Sequence, residues 1–261
     1  MRTVELEHIS NVRDLGGIRI AGGRVVKPGL IYRGSALANP SPRDTDILFD
    51  RLGIRCVIDL RTGWEREANP DKVPTAVLYR HIPFFDLERV GYEYMKALPG
   101  TRRIGHDFAC DPLDFYRTMP NRLTVLQMRE AVNCVFDSAL AGKPVYFHCT
   151  GGKDRAGVTA ALVLRVLGAD DQTILDDYLE TNVSRDAHIQ KTYERFLRLC
   201  NNDAEMAQRV TYAHRARREN IEAFRQEVCR LYGSEDEFIT NQLNIDDARR
   251  HTIVEGCTNP A

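Results

Sequence analysis

No apolar run in the 261 residues approaches 18 positions, so no segment is expected to cross a bilayer as a helix. The opening stretch, MRTVELEHIS, is charged and lacks the apolar centre of a secretory leader, so no export signal is expected there. Excess charge of one sign is missing too: 36 basic against 37 acidic residues leave a formal net charge of -1. That balance gives no global pull toward nucleic acid or an anionic membrane. Paired cysteines are absent. The seven cysteines, at 56, 110, 134, 149, 200, 229 and 257, are odd in number, widely spaced and free of any C-x2-C pair. They do not make a disulfide framework; free thiols in a reducing compartment, the cytoplasm, are the expectation. His106, Cys110, His148 and Cys149 match no standard zinc spacing, and neither metal nor cofactor is expected. Internal repeats and low-complexity tracts are also lacking.

What is present is an ordinary globular composition, 43% hydrophobic and 28% charged, enough for a full core without covalent staples. The turns Gly16-Gly17, Gly22-Gly23 and Pro28-Gly29 break the N-terminal third into short extended pieces. Leu30 to Arg33 reads as a strand. Asp44 to Leu52 reads as a helix stopped at Gly53. Ile54 to Leu60, Ala76 to Phe84 and Val145 to His148 are compact apolar runs of the kind found in buried parallel strands. Leu123 to Leu140 carries a helical stripe, and Trp64 to Glu67 a helical turn. Strands alternating with helices predict an α/β fold with a central, mostly parallel sheet flanked by helices.

Residues 86–122, interrupted by Pro99-Gly100, Gly105, Pro112 and Pro120, fit no regular element and are expected to form a lid insertion. Beyond the third strand the pattern is helical to the end: Arg155 to Leu167, Asp171 to Leu179, Arg185 to Cys200, and one long helix from Glu205 to Leu231. The expected organisation is one domain over 1–261, with 184–261 as a helical extension.

One segment carries chemistry. Pro144-Val-Tyr-Phe-His-Cys-Thr-Gly-Gly-Lys-Asp-Arg-Ala-Gly157 reads as strand, cysteine, glycine-bearing loop and helix start. Cys149 is the only one of the seven cysteines with an arginine six positions on. A thiolate is the reactive form of cysteine, and a helix N-terminus favours it. The same N–H groups bind a phosphate dianion. Gly151 and Gly152 let the backbone curl so that several N–H groups point inward, and Arg155 can clamp two phosphate oxygens. Thr150, Gly151, Gly152, Lys153, Ala156 and Gly157 would line the anion. His148 would orient the loop from behind. The nucleotide-type phosphate loop is excluded, since Asp154 follows Lys153 where Ser or Thr is required. The bland reading of Cys149 is a small buried hydrophobe at a strand end.

The motif resembles the HCxxGKxR loop of protein tyrosine phosphatases, and is closest to the atypical tyrosine/lipid phosphatase family of bacteria and fungi, whose loop reads HCxxGKDR. Asn11-Val-Arg-Asp-Leu-Gly-Gly17, Tyr32-Arg-Gly-Ser35, Ile58-Asp-Leu-Arg61 and Asp177-Tyr-Leu-Glu-Thr-Asn182 are similar to further blocks of that family, so the likeness runs from about 11 to 182. It implies Cys149 as nucleophile, Arg155 as phosphate binder and Asp154 as general acid. It also implies activity on phosphotyrosine, on phosphoserine/threonine and on phosphoinositides, with a phosphorylated protein or phosphoinositide as substrate. Ala156 departs from it: the family carries Ser or Thr there, whose hydroxyl helps the thiolate leave, so the second step is expected to be slow.

Several assignments stay open on the residues alone. Asp86, after the strand ending at Phe84, competes with Asp154 as the acid. Asp154 could instead pair with Arg13 or Lys153. Asp59 and Arg61 either face a ligand crevice or form an ion pair behind the loop. Arg215, Arg217 and Arg218 form a solvated helix face or a membrane-surface contact. A phosphate-recognition module with little turnover and a C-x5-R thiol redox or sulfur-transfer enzyme are the rival functions.

Overall fold

The computed structural model describes residues 2–85, 102–104, 107–109, 112–199, 202–212 and 214–261. Its central sheet has five strands in the order β1 (Arg13–Asp14), β4 (Ile31–Gly34), β9 (Val145–His148), β5 (Cys56–Asp59), β6 (Leu78–His81). The last four run parallel, and β1 lies antiparallel on the edge. The chain therefore inserts β9 late, between β4 and β5, and delivers Cys149 at the carboxyl end of the middle strand. That end of an open α/β sheet is where ligands bind.

Every residue of β4, β5 and β9 is buried, which is why these runs read as continuous apolar segments rather than alternating ones. Alternate side chains feed two cores. Ile31, Cys56, Ile58, Val145 and Phe147 meet the helices Arg122–Leu140 and Arg155–Leu167. Tyr32, Val57 and Tyr146 meet Leu48, Phe49, Ile54 and Val77 on the other face. Each such side chain contributes about 1.5–3 kcal/mol through its burial. The Arg155–Leu167 helix is buried at every position from Ala156 to Leu164. It ends at Gly168, whose φ of 95° suits a residue without Cβ. A second sheet joins β2 (Arg19–Ile20), β3 (Arg24–Val26) and the C-terminal β10 (Thr258–Pro260).

The expected strands, the 155–167 helix and the helical stripe over 123–140 are all found. Four expectations need correction. Within 86–122, Pro112–Thr118 is a helix, led by a proline at its first position, and Arg102–Ile104 pairs with Asp107–Ala109 as β7 and β8; 86–101 lies outside the described residues. The helix expected to stop at Leu179 runs from Asp171 to Ser184. The chain does not stay helical to its end, because β10 returns to β3. The single helix expected over 205–231 is two, Ala204–Tyr212 and Arg218–Tyr232. Asn182 separates them: its Nδ2 donates to Ala216 O (2.8 Å) and its Oδ1 accepts from Ala216 N (2.8 Å). Those bonds take the backbone groups that a continuous helix would need. Helices of the 184–261 segment pack on the main core through Ile221, Phe224, Val228, Phe238 and Ile253.

A buried ionic knot joins the sheet edge to the Asp171–Ser184 helix. Asp177 accepts from Arg13 Nε at 3.1 Å and from Arg33 Nη1 at 2.7 Å, and Arg2 joins the same carboxylate from a partly exposed position. Arg13 and Arg33 are fully buried and Asp177 is 1% exposed. Burial works to push the Asp177 carboxyl up, but the three guanidinium groups hold it well below the usual carboxylate range. Removing one member of a buried pair strands the others, so Asp177→Ala is expected to lose about 3–5 kcal/mol in denaturant unfolding. A loss below about 1 kcal/mol would show the knot to be dispensable. The pH dependence has a definite sign. A depressed carboxyl contributes fully above its unfolded value of about 3.9, and the contribution is lost as pH falls through the folded value. Stability measured from pH 5 downward should therefore fall more steeply in the parent protein than in Asp177→Asn.

Candidate active site

The loop after β9 turns its carbonyls away from the site. His148 O accepts from Leu60 N (2.9 Å) and Thr150 O from Ala36 N (3.1 Å). His148 Nδ1 donates to Cys149 O at 3.0 Å. Asn11 Nδ2 donates to Gly151 O (3.1 Å), and Arg33 Nη2 to Gly152 O (2.7 Å). Asn11 is itself held by Arg13 Nη1, which donates to Asn11 Oδ1 at 2.6 Å. Among the described residues no acceptor takes the N–H groups of Thr150, Gly151, Gly152, Asp154 or Arg155. Carbonyls engaged behind and amides unengaged in front make an anion cradle. Gly152 needs its glycine twice over. Its φ is 68°, and a Cβ there would collide with the Gly34 carbonyl.

Cys149 is buried at the base of this cradle, 2% exposed. Arg155 opens the following helix and is clamped by Glu65. Its Nη1 donates to Glu65 Oε2 at 2.6 Å and its Nη2 to Oε1 at 2.7 Å. The Thr150 hydroxyl adds a bond to the same carboxylate at 2.5 Å. Burial lowers the Arg155 pKa, but Glu65 raises it above the ordinary value overall. Glu65 is held well below its own usual range, since Arg155 outweighs its burial. The clamp leaves Arg155 Nε buried and without a partner among the described residues.

Asp154 sits at the helix start, its side chain 30% exposed. Tyr116 OH donates to Asp154 Oδ1 at 2.6 Å, and Lys153 Nζ lies 3.3 Å from the same oxygen. The Tyr116 and Tyr178 hydroxyls are 2.5 Å apart. Burial pushes the Asp154 carboxyl up, but Lys153 and the Tyr116 hydroxyl carry it below its usual value. Arg13 pairs with Asp177 instead. Asp86 lies outside the described residues.

Asp59 and Arg61 form the ion pair behind the loop. Arg61 Nη2 lies 2.8 Å from both Asp59 Oδ2 and Asp71 Oδ2, and Tyr79 OH donates to Asp59 at 2.6 Å. Burial raises the Asp59 carboxyl, but Arg61 and neighbouring charge bring it to about 2. His148 Nε2 lies 3.1 Å from Asp71 Oδ2, outside hydrogen-bond geometry. Asp59, Asp71 and His148 cluster as metal ligands can, yet the Arg61 guanidinium already supplies a cation there. His106 and Cys110 lie outside the described residues. Ala156 is fully buried. Of the basic run, Arg217 stacks 4.5 Å over the Tyr212 ring and Arg218 pairs with Glu222, while the backbone of Arg215 accepts from Lys153 at 3.5 Å.

Three contributors escaped the sequence reading: Glu65, Tyr116 and Arg185. Thr62-x-x-Glu65 is a capping box with both bonds formed, and that pattern marks Glu65 as a fixed residue though not as the arginine's partner. Tyr116 lay in a segment read as irregular. Arg185 has no motif. It is 8% exposed, and a Cβ on Gly151 would stand 3.0, 3.1 and 3.2 Å from its Cζ, Nη1 and Nη2.

A family model described as the tyrosine phosphatase family matches residues 4–258. A Cupriavidus necator protein named as a tyrosine-protein phosphatase is 32% identical over 243 residues, 92% of this chain and 84% of its own. The triple specificity protein phosphatase PtpB of Mycobacterium tuberculosis is 29% identical over 266 residues, 90% of this chain and 91% of that protein. Among solved structures, the core catalytic domain of the PP-IP phosphatase SIW14 from S. cerevisiae, in complex with citrate, is similar with a TM-score of 0.36 at 15% identity, covering 69% of this chain and 78% of that one. A match over almost the whole length joins the cysteine-and-arginine cradle described above, and the chain belongs to the tyrosine phosphatase family, a class of phosphoric monoester hydrolases.

Proposed function

We propose that the protein hydrolyses phosphomonoesters through a phosphocysteine on Cys149. The carrying observation is the loop whose carbonyls are tied back while its amides remain unengaged, next to an arginine with a buried unpartnered Nε. The amides and Arg155 bind the non-bridging oxygens and stabilise the charge that spreads over them. The Cys149 thiolate attacks phosphorus; the S–P bond forms as the ester P–O bond breaks. Asp154 gives its proton to the leaving oxygen. Water then attacks phosphorus, the S–P bond breaks, and phosphate leaves. In the free protein Asp154 favours the carboxylate. A phosphate dianion in the adjoining cradle opposes that charge and raises the proton affinity. Phosphotyrosine, phosphoserine/threonine and phosphoinositides are the proposed substrates; the relative PtpB, named for triple specificity, supports that breadth. No described helix is long and apolar enough to cross a membrane; with a nucleophilic thiol that must stay reduced, a cytoplasmic site of action is proposed.

Cys149→Ser is expected to abolish turnover of p-nitrophenyl phosphate and keep binding of vanadate or phosphate; retained turnover would end the proposal. Asp154→Asn should lower kcat on phosphotyrosine by about 10²-fold, more than Asp86→Asn does, whereas the reverse ranking moves the acid to Asp86.

The recognition-module reading has one observation in its favour, the buried methyl of Ala156 at a position where the family's hydroxyl would assist the leaving thiolate. Rapid mixing with p-nitrophenyl phosphate should give a burst of one equivalent of p-nitrophenol followed by a slower steady state. Ala156→Ser should raise the steady rate about tenfold, the worth of one hydrogen bond to a charged group. A burst with no release over hours would favour recognition over turnover.

A further inference from the structure

Cys56 opens β5 and is 1% exposed. It lies between Val145 of β9 and Leu78 of β6 in the sheet, and its side chain packs in the core under the Arg122–Leu140 helix, beside Val132 and Val135. On that helix Cys134 and Ser138 stand four residues apart and so share one face. Both side chains hydrogen-bond to the Cys56 sulfur. Ser138 is buried, whereas Cys134 is half-buried, so the group has one edge toward solvent. Neither thiol is in a disulfide. A strand cysteine and a helix cysteine, far apart in the chain, thus meet sulfur to sulfur.

The contact sets the two thiols apart from ordinary buried ones. Burial pushes a thiol up, as it does Cys257, to about 11. Cys56 is instead held below its usual value. The bond from Cys134 is the largest cause and outweighs burial, and the Ser138 hydroxyl and the charges of Arg80 and Lys143 act in the same direction. Cys134 is raised, first by that bond and then by burial and the Cys56 charge; Asp137 adds to the rise and Arg80 opposes it. One sulfur is therefore favoured as thiolate while its neighbour keeps its proton, the pairing of an attacking with a resolving thiol. Cys149 is not part of the group. Cys56 is level with Val145 in parallel strands, and Cys149 lies four residues further along, about 13 Å away by the rise of a strand. A disulfide requires Cα atoms within about 7 Å.

The geometry points to a redox modification site at Cys56 and Cys134, in which a peroxide oxidises the pair to a disulfide. The Cys56 thiolate attacks one oxygen of hydrogen peroxide. The S–O bond forms as the O–O bond breaks, and the departing hydroxide recovers the proton that Cys56 had released and leaves as water. The Cys134 sulfur then attacks the Cys56 sulfur. The S–S bond forms, the S–O bond breaks, and the hydroxyl leaves as water with the Cys134 proton. The two sulfurs give up two electrons in all, and the peroxide is reduced to two molecules of water. A thiol reductant reverses the product by exchange. The crosslink would tie the sheet to the helix that covers it and close a long loop, which stabilises by restricting the unfolded chain. It stands independently of the phosphatase reading, since Cys149 takes no part.

The experiment uses the full chain with Cys149→Ser, so that the active-site thiol does not consume the oxidant, and the parent chain beside it. Each is treated with hydrogen peroxide under native conditions, then alkylated with N-ethylmaleimide in denaturant, and its peptides are mapped without reduction. The expected result is a linked pair of peptides carrying Cys56 and Cys134, lighter than their sum by two hydrogens and separated by dithiothreitol. The oxidised chain should also unfold at a higher temperature than the reduced one, and dithiothreitol should remove the difference. Cys134→Ser keeps a hydroxyl donor beside Cys56 but no resolving sulfur. It should show neither the link nor the rise, and a dimedone adduct at Cys56 should appear instead. If Cys56 and Cys134 are both still alkylated after peroxide, the site is overturned. A link that forms only when peroxide is added after the denaturant overturns it too. So does a link from either sulfur to another cysteine, Cys149 of the parent chain included.

Discussion

The site depends on where five backbone carbonyls point. A cysteine loop can bind an anion only if its amides converge, and they converge only if the carbonyls have somewhere else to go. Here Asn11 and Arg33 reach from the sheet edge to hold Gly151 O and Gly152 O. Those two residues are in turn fixed by Arg13 and by the Asp177 carboxylate. Three stretches far apart in the chain, at 11–13, at 33 and at 177, therefore exist to aim one loop. Ion pairs of this kind are weak as sources of net stability, because desolvation consumes most of the Coulomb gain. Their value lies in specifying a single arrangement of buried donors around two peptide groups.

A second economy appears at Glu65. One carboxylate closes the capping box at the start of the Gly63–Ala68 helix and grips both terminal nitrogens of Arg155. The arginine cannot swing freely, so its remaining nitrogen is oriented before any substrate arrives, which reduces the ordering cost of binding. Coupling runs in both directions, since a perturbation that frays this short helix also loosens the hold on Arg155.

Much of this was legible in the residues. Parallel strands announced themselves because both of their faces are covered, and the loop was recognisable because glycine, cysteine and arginine each answer a separate demand of anion binding. Where pattern failed, a distant partner had overridden it. The hydrophobic register over 205–231 is continuous, and nothing local reveals that Asn182 will claim the backbone of Ala216. Tyr116 sits in a proline-punctuated stretch, and only the fold brings its hydroxyl to Asp154. Arg185 follows an ordinary helix end, and only the fold brings its guanidinium against Gly151.

The Asn182 clasp has a consequence for how such proteins diverge. Cys149 and Arg155 stand on β9 and the helix behind it, while His214 lies in the turn between two later helices, a turn that Asn182 holds with two hydrogen bonds to Ala216. Substitutions in that turn can reshape the surface beside the loop and leave β9 and its helix as they are. The two regions can thus diverge at different rates within one chain, joined where Lys153 reaches the Arg215 carbonyl.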